Sequence, residues 1–395
     1  MSSITRYITT ELIGWLAVVL VALTCVLVLM VVVLEASRMN LGMGPTLKLL
    51  PFSLPMAVAY AAPCAMLFTV CFIYGRMSAD NEVIATKALG ITPTVLLWPA
   101  WLMAFGLSLV GVWLTDLAFS WGAVGAQRVV IQSVEEIAYG MLRTQRAYSN
   151  QKFSIIVKDV QDRKLIRPTM NFQASGDMPA IRISAAEAEL ESKLDKGVMV
   201  LHLTDCEVEM EPNIHSFFPG PQEREFPLNF FSAKEIREGS PTNLPLRQIT
   251  SEIPAQIRLI DEMERALAAQ SALALVTGQL QDLSEAAWKS KRKQLADARG
   301  RLHRLRTEPW RRWANGFSTL AFVLIGAPLA ILLKRADVMT RFGMSFLPIL
   351  LSYYPLLMGC CDRAKAGSMP PYIVWIPNLI LCGVGAWLMK KVVRY

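Results

Sequence analysis

Six uncharged apolar runs dominate this chain, and each is long enough to cross a bilayer core, which takes about 20 helical residues. The chain has 395 residues, of which 53% are hydrophobic and 18% charged, against roughly 25% charged in soluble domains. The runs are Leu12–Leu34, Leu49–Gly75, Ala88–Thr115, Trp313–Leu333, Phe342–Cys361 and Ala366–Met389. We therefore predict a polytopic α-helical membrane protein with six transmembrane helices.

The first run is expected to remain in the protein as a helix. It follows only a short polar start, and no small-residue cleavage site comes after it. Charged Glu35 and Arg38 follow instead, which favours a retained span over a signal peptide.

Basic residues in the short loops predict the orientation of the spans. With the N-terminus inside, the inner loops hold more Lys and Arg than the outer ones, as the positive-inside rule requires. The inner residues are Arg6, Arg76, Lys87, Lys334, Arg335, Arg341, Lys390, Lys391 and Arg394, and the outer ones are Arg38, Lys48, Arg363 and Lys365. Both termini are therefore expected in the cytoplasm, with residues 116–312 outside. A net charge of +8 suits anionic headgroups, so no nucleic-acid partner is expected.

The external segment divides into two parts by pattern. Strand-like runs are Phe153–Val157, Ile181–Ala185 and Val198–Leu203, separated by turn signals at 175–177, 195–197 and 219–221. After Pro254, residues 257–280 and 283–306 are rich in helix formers, with Gly278 and Ser284 near the turn. We predict spans 1–3 within residues 1–125, a β-domain in 126–250, a solvated helical hairpin in 251–310 and spans 4–6 in 311–395.

Catalytic motifs are missing from the sequence. The histidines, His202, His215 and His303, lack metal-ligand spacing, and neither a phosphate loop nor a nucleophile elbow occurs. The cysteines suggest no disulfide framework, and charges inside the spans are scarce. We expect no metal, no cofactor and no nucleotide site, so energy for any transport must come from another subunit.

The polar loop at residues 75–90 is the most suggestive local feature. Asp80 is a candidate N-cap, Glu82 would lie in the first turn, and Gly90 would end the helix, which gives a short helix over 80–89. Ile84 and Ala88 would share one face. Two interpretations stay open: an ordinary connector, or a surface helix that docks a soluble partner.

An ordered set of motifs resembles the LptF/LptG permease family of the lipopolysaccharide export ABC transporter. It begins at Arg6-Tyr7 and Glu11 and continues through residues 63–67, 75–78, Glu82 and 88–90. Further matching stretches are residues 183–185, 201–203, 311–312, 326–329, 353–354, 370–371 and 375–378. The matching stretches fall in both membrane halves.

The resemblance implies an inner-membrane transport subunit with six helices and a periplasmic β-jellyroll-like domain. It implies a second permease subunit of the same family, a cytoplasmic ABC ATPase dimer that hydrolyses ATP, and a periplasmic bridge protein that receives lipopolysaccharide or a related glycolipid. The loop between spans 2 and 3 would carry the coupling helix, with Glu82 docking into the ATPase. Arg76, Asp80, Ile84 and Lys87 belong to the same candidate surface.

Candidate lipid contacts are Arg38, Arg312, Met199, Leu201 and Leu203. Relatives often carry lysines near the outer end of the first span, whereas this chain has Glu35 and Arg38 there. Arg38 can meet a headgroup phosphate or simply anchor the span at the interface. The three β-domain residues can line an apolar groove, or they can fill the core of the domain.

Two other functions compete with export. One is a structural or scaffolding protein that presents the β-domain at the membrane, and the other is a membrane-embedded enzyme acting on lipid. The missing catalytic groups speak against the enzyme. A capped helix facing the cytoplasm speaks against the scaffold, which has no need of one.

Overall fold

The computed structural model describes residues 3–39, 43–132, 134–149, 153–161, 163–172, 181–193, 198–210, 214–227, 240–278, 286–334 and 336–394. Within these ranges, six helices are long and apolar enough to span a membrane, which confirms the predicted number. Their bounds are Thr5–Leu34, Thr46–Ala79, Pro93–Val129, Trp288–Leu332, Val338–Lys365 and Pro371–Arg394. The chain is a multi-pass membrane protein.

The helices before the sheet include three of these spans and three shorter elements. They are α1 (Ser3–Met39), α2 (Met43–Ala79), α3 (Glu82–Ala88), α4 (Pro93–Leu117), α5 (Ala123–Gln132) and α6 (Val134–Gln145), with a π-helical turn at Ala118–Gly122. The helices after the sheet are α7 (Leu246–Thr277), α8 (Ala286–Leu332), α9 (Val338–Lys365) and α10 (Ile376–Arg394), and a 3₁₀ turn at Pro371–Trp375 precedes α10.

One compact unit consists of Met1–Leu27, Leu54–Gly122 and Gly239–Tyr395. Its core draws buried residues from α1, α2, α3, α4, α8, α9 and α10, including Tyr74, Phe322 and Tyr353. Small residues allow these helices to approach closely. A Cβ added at Gly316 of α8 would lie 2.7 Å from the backbone nitrogen of Val112 in α4, so this contact requires glycine.

The second compact unit consists of Val28–Ser53 and Ala123–Glu238, and it contains the sheet. In its described segments the strands are β1 (Ala147–Ser149), β2 (Phe153–Ile156), β3 (Asp159–Gln161), β4 (Lys164–Ile166), β5 (Thr169–Phe172), β6 (Ile181–Lys193), β7 (Val198–Met210) and β8 (Ile214–Pro227). The three predicted strand positions are confirmed in β2, β6 and β7, although β6 and β7 run much longer than the sequence pattern suggested, and β8 was not predicted.

Strand β6 organises this antiparallel sheet. It pairs with β7 along its whole length, from Ile181–Met210 to Lys193–Val198. Along its other edge, β6 pairs first with β5 and then, further along the strand, with β4. The long strands curl into a jellyroll-like half-barrel. The predicted fold class is therefore confirmed, and a hydrophobic core including Leu142, Ile155, Leu165 and Leu201 fills the domain.

A β-bulge occurs where the sequence suggested a break between strands. Residues 219–221 lie inside β8, and the register shifts opposite them between Thr204 and Cys206. Asp205 and Gly220 both have positive φ, and the Asp205 carboxylate accepts a hydrogen bond from the Gly220 amide at 2.9 Å. The strand continues because this local bond replaces the interrupted ladder. The other turn signals, at 175–177 and 195–197, lie outside the described residues.

The helical hairpin differs from its expected limits at both ends. Helix α7 begins at Leu246, so Pro254 lies within it instead of preceding it. The turn at Gly278 is confirmed by its φ of 72°, a conformation that favours glycine. Helix α8 continues from the hairpin into the fourth span without interruption at residue 310. Two helices also precede the strands, since α5 and α6 cover most of 123–145.

Candidate functional site

The short helix α3 is the element that the sequence marked as a candidate docking surface. Its core-facing residue is Val83, which is 4% exposed and packs into the main helical core. Ile84 is 54% exposed and Leu89, just after the helix, is 76% exposed. The helix therefore presents apolar side chains outward although it is only seven residues long.

Gly90 ends α3 as the sequence predicted. Its φ is 78°, its amide donates to the carbonyl of Lys87 at 2.9 Å, and the next amide, of Ile91, donates to Thr86 at 3.1 Å. This pair of bonds is a Schellman motif, which satisfies the last carbonyls of the helix. The third span begins beyond it at Pro93, not at Ala88 as expected.

The predicted N-cap at Asp80 is wrong. Helix α2 runs on to Ala79, and the Asp80 amide still donates to the carbonyl of Arg76 at 2.9 Å. The N-cap position belongs to Asn81, whose φ of 63° forms the sharp turn and whose side chain makes no capping bond. The long preceding helix decides this, because Asp80 still bonds to the last turn of α2 and lies one residue before the cap position.

Tethers from two other helix ends hold the loop in place. Lys87 donates from Nζ to the carbonyl of Val392 in α10 at 2.8 Å. Lys334, just after α8, donates to the side-chain oxygen of Asn81 at 2.5 Å. Ser78, at the end of α2, donates to the carbonyl of Ile331 at 2.9 Å. The loop is thus bound to the ends of the fourth and sixth spans.

Arg76 and Glu82 lie on the loop at partly exposed positions. Arg76 forms an ion pair with Glu11 of α1 at 2.5 Å, and its own side chain is 36% exposed. Glu82 is half-buried in the first turn of α3, near enough to Arg76 to interact electrostatically. Its carboxylate is near the positive end of α3, where an anion is favoured. Of the remaining candidates, Asp80 and Ile84 are exposed and Lys87 is half-buried.

A second charged cluster surrounds Arg312, where α8 enters the fourth span. The Arg312 side chain is fully buried and pairs with Asp116 of α4. It also donates to the carbonyls of Thr242 at 2.9 Å and Leu244 at 2.7 Å. Asp116 in turn accepts the first amide of α7, from Leu246, at 3.0 Å. These bonds attach the start of the hairpin to the third and fourth spans.

Glu308 extends this cluster towards α9. Its carboxylate is 0% exposed and forms ion pairs with Arg311 at 2.6 Å and with Lys365 at 3.7 Å. The Arg311 guanidinium also lies 4.6 Å from the centre of the Phe119 ring. Removing one partner from such a buried set leaves an uncompensated charge, so the cluster acts as a structural unit.

Comparison with known families decides the assignment. The family model of the lipopolysaccharide export system permease LptF/LptG matches residues 6–391, nearly the whole chain. The chain belongs to the LptF/LptG family. No curated protein matches it. As a member of the LptF/LptG family it is a lipopolysaccharide export permease subunit, and this family is not one of enzymes with their own catalytic site.

In this LptF/LptG family member, the prediction that Arg312 contacts lipid is wrong. Its guanidinium has no exposed surface and binds groups of the chain itself, so it is not accessible to a lipid. The sequence alone did not indicate this, because Asp116 and Thr242 are distant in the chain. The missed role is structural: Arg312 fixes the hairpin to the spans.

Two of the three lipid-contact candidates in the β-domain are buried and do not line an open groove. Leu201 and Leu203 are each 1% exposed and pack in the core of the sheet domain. This burial favours the second interpretation, in which they fill the domain. Met199 belongs to β7 and Arg38 to α1, but their side chains lie outside the described part of the structure. A lipid-facing role for these two residues stays a prediction.

Proposed function

We propose that this LptF/LptG family member is one of two permease subunits of an ABC exporter in the inner membrane. The complex extracts lipopolysaccharide, or a related glycolipid, and passes it to a periplasmic bridge protein. A dimeric ATPase in the cytoplasm supplies the energy and docks on α3. Both termini of the chain lie in the cytoplasm, and the sheet domain lies in the periplasm.

The geometry of α3 is the observation that carries the proposal. Val83 anchors the helix inward, while Ile84 and Leu89 face outward at the end of the bundle. Exposed apolar side chains beside a carboxylate, on a helix tethered to the ends of two spans, suit a protein interface that transmits force. A free connector would not need the bonds of Lys87 and Lys334.

Burial of the spans supports a partner permease. The first span is 17% buried and the fifth 28%, whereas the second and fourth are each 61% buried. In lipid, a weakly buried helix is available for packing against a second subunit. Enclosure between two subunits also suits the cargo, since exposing an acyl chain to water costs about 0.8 kcal/mol per CH₂.

The substitution Glu82→Lys tests the coupling role. We expect it to weaken ATPase co-purification at least tenfold and to retain lipopolysaccharide in the inner membrane, because a charge at an interface centre typically contributes about 2 kcal/mol or more. Asp261→Lys, an exposed charge reversal on α7, is the matched control and should change neither. Normal ATPase recovery and export by the Glu82 variant would refute the coupling role.

Depletion of the protein tests export itself. Lipopolysaccharide should accumulate in the inner membrane and decline in the outer membrane within a few generations. An unchanged outer-membrane content would contradict export and would favour the scaffolding alternative.

A further inference from the structure

A groove opens between α4, α8 and α10 in the helical unit. Its walls are Trp101 of α4 and Leu324 of α8, and its floor is formed by Gly385, Ala386 and Met389 of α10. The cavity volume of the groove is about 520 Å³. Pockets for small ligands measure roughly 300–1,000 Å³, so the groove is large enough for one.

Close packing of two helices creates the groove. A Cβ added at Gly385 would lie 2.7 Å from the carbonyl oxygen of Leu324, so α10 approaches the backbone of α8 directly. Small side chains at Gly385 and Ala386 then leave a depression that Leu or Phe would fill. The lining is almost entirely apolar, which suits a hydrocarbon chain.

Two cations stand at one end of this apolar floor. Lys390 and Arg394 both line the groove and are exposed, and their spacing of four residues places them on one face of α10. Within the described part of the chain, neither cation forms an ion pair. Neighbouring Lys391 is engaged elsewhere, with Nζ 5.9 Å from the centre of the Trp387 ring. The pair at the end of the last span is placed to receive an anionic group at the membrane surface.

An unpaired donor lies in the groove wall. The indole N–H of Trp101 is inaccessible and has no hydrogen-bond acceptor among the described residues. A buried donor without a partner costs about 1–3 kcal/mol, and buried Trp N–H groups usually find an acceptor. The groove lining therefore includes a residue whose donor the described residues leave unpaired.

We infer that this groove binds one anionic glycerophospholipid. An acyl chain lies along Gly385, Ala386 and Met389, and the phosphate is held by Lys390 and Arg394. The volume of the groove suits one chain of a phospholipid better than the several chains of a lipopolysaccharide. This inference does not rest on the export function, because a bound lipid of this kind stabilises the fourth and sixth spans whatever the protein transports.

Native mass spectrometry of the full-length protein in detergent tests the inference, with phosphatidylglycerol and phosphatidylcholine as separate probes. We expect one tightly bound phosphatidylglycerol, and about 25-fold weaker binding in Lys390→Gln/Arg394→Gln, or about fivefold for each cation. Lys391→Gln is the matched control on the same helical turn and should bind normally. Equal loss in the control, or equal affinity of wild type for both lipids, would overturn the proposal.

The substitution Ala386→Trp tests the apolar floor independently. It should fill the groove and abolish phosphatidylglycerol binding while Lys390 and Arg394 remain. Added phosphatidylglycerol should raise the melting temperature of wild type and not that of this variant. A normal melting temperature without lipid would show that the variant folds. Undiminished lipid binding by the variant, or a disulfide-linked dimer from Ala386→Cys showing a second subunit there, would refute a lipid site.

Discussion

Lys87 of α3 and Val392 of α10 are joined by a hydrogen bond of 2.8 Å from Nζ to the backbone carbonyl. The bond connects the candidate coupling helix with the end of the last span. A cation at a helix C-terminus is also favoured by the helix dipole. Movement imposed on α3 by a partner is therefore expected to reach α10 directly.

Removing this tether should loosen α3 without unfolding the protein. Lys87→Met keeps the apolar stem but loses a half-exposed charged hydrogen bond, which is worth about 1 kcal/mol. We expect amide hydrogen exchange in residues 82–88 to accelerate about fivefold, measured by mass spectrometry on the full chain. Lys391→Met is the control and should leave exchange in α3 unchanged. Unaltered exchange in Lys87→Met would show that the bond does not hold the helix.

The ion pair of Arg312 and Asp116 should contribute strongly to stability. Asp116→Asn removes the charge opposite a fully buried guanidinium and weakens the attachment of α7. Breaking a buried pair costs about 3–5 kcal/mol, and because Asp116 is 25% exposed we expect about 2–3 kcal/mol. Denaturant unfolding in detergent measures this loss of stability. The exposed pair of Glu264 and Arg299 is the comparison: Glu264→Gln should cost less than about 1 kcal/mol. Similar losses in the two variants would contradict the structural role.

Gly75 should tolerate a side chain poorly, because the guanidinium of Arg341 occupies the space beside it. Arg341 is 5% exposed and is held by the carbonyls of Leu333 at 3.2 Å and Lys334 at 3.3 Å. Gly75→Ala is expected to destabilise the protein by about 1–3 kcal/mol through overpacking. Gly14→Ala in α1, where nothing lies within 4 Å, should be neutral or stabilising by about 0.5–1 kcal/mol. Equal thermal stability of both variants would contradict this packing.

Tyr139 should make the stability of the sheet domain dependent on alkaline pH. Burial raises the pKa of its phenol above the ordinary value, and the hydroxyl donates to the Arg163 carbonyl at 2.5 Å and accepts from the Leu190 amide at 2.9 Å. The unfolded chain therefore loses this proton first, so the stabilisation is complete below about pH 10 and is lost as the pH rises towards the folded-state pKa. The stability advantage of wild type over Tyr139→Phe should be constant below about pH 10 and should shrink as the pH rises above it. Thermal unfolding followed by circular dichroism measures it. A stability difference between the two proteins that stays constant at alkaline pH would refute this prediction.

Much of the architecture could be predicted from the sequence, because helix ends and apolar runs depend on residues that are close together in the chain. Gly90 ended a helix because its backbone conformation favours glycine, and Gly278 did the same at the hairpin. The positions of β2, β6 and β7 were predicted too, although the lengths of β6 and β7 were not. Pairing along 181–193 and 198–210 extends both strands well past the apolar runs, since ladder bonds form with any side chain.

The candidate site was predictable only in part. The position of α3 could be read from its flanking residues, but Asp80 failed as an N-cap because α2 extends further than its hydrophobic part. Lys334 and Val392 became neighbours of α3 only through packing, and no local pattern indicates such contacts. Leu201 illustrates the same limit, since a groove and a core require the same apolar alternation.

The sequence by itself determined six membrane spans, a β-rich segment between the third and fourth, and a short polar helix between the second and third. Length and hydropathy suffice for these because lipid permits few backbone structures. Only the tertiary structure decided which charges are buried and paired. Arg312 and Asp116 are 196 positions apart, and only the packing of α4 against α8 brings the guanidinium and the carboxylate together.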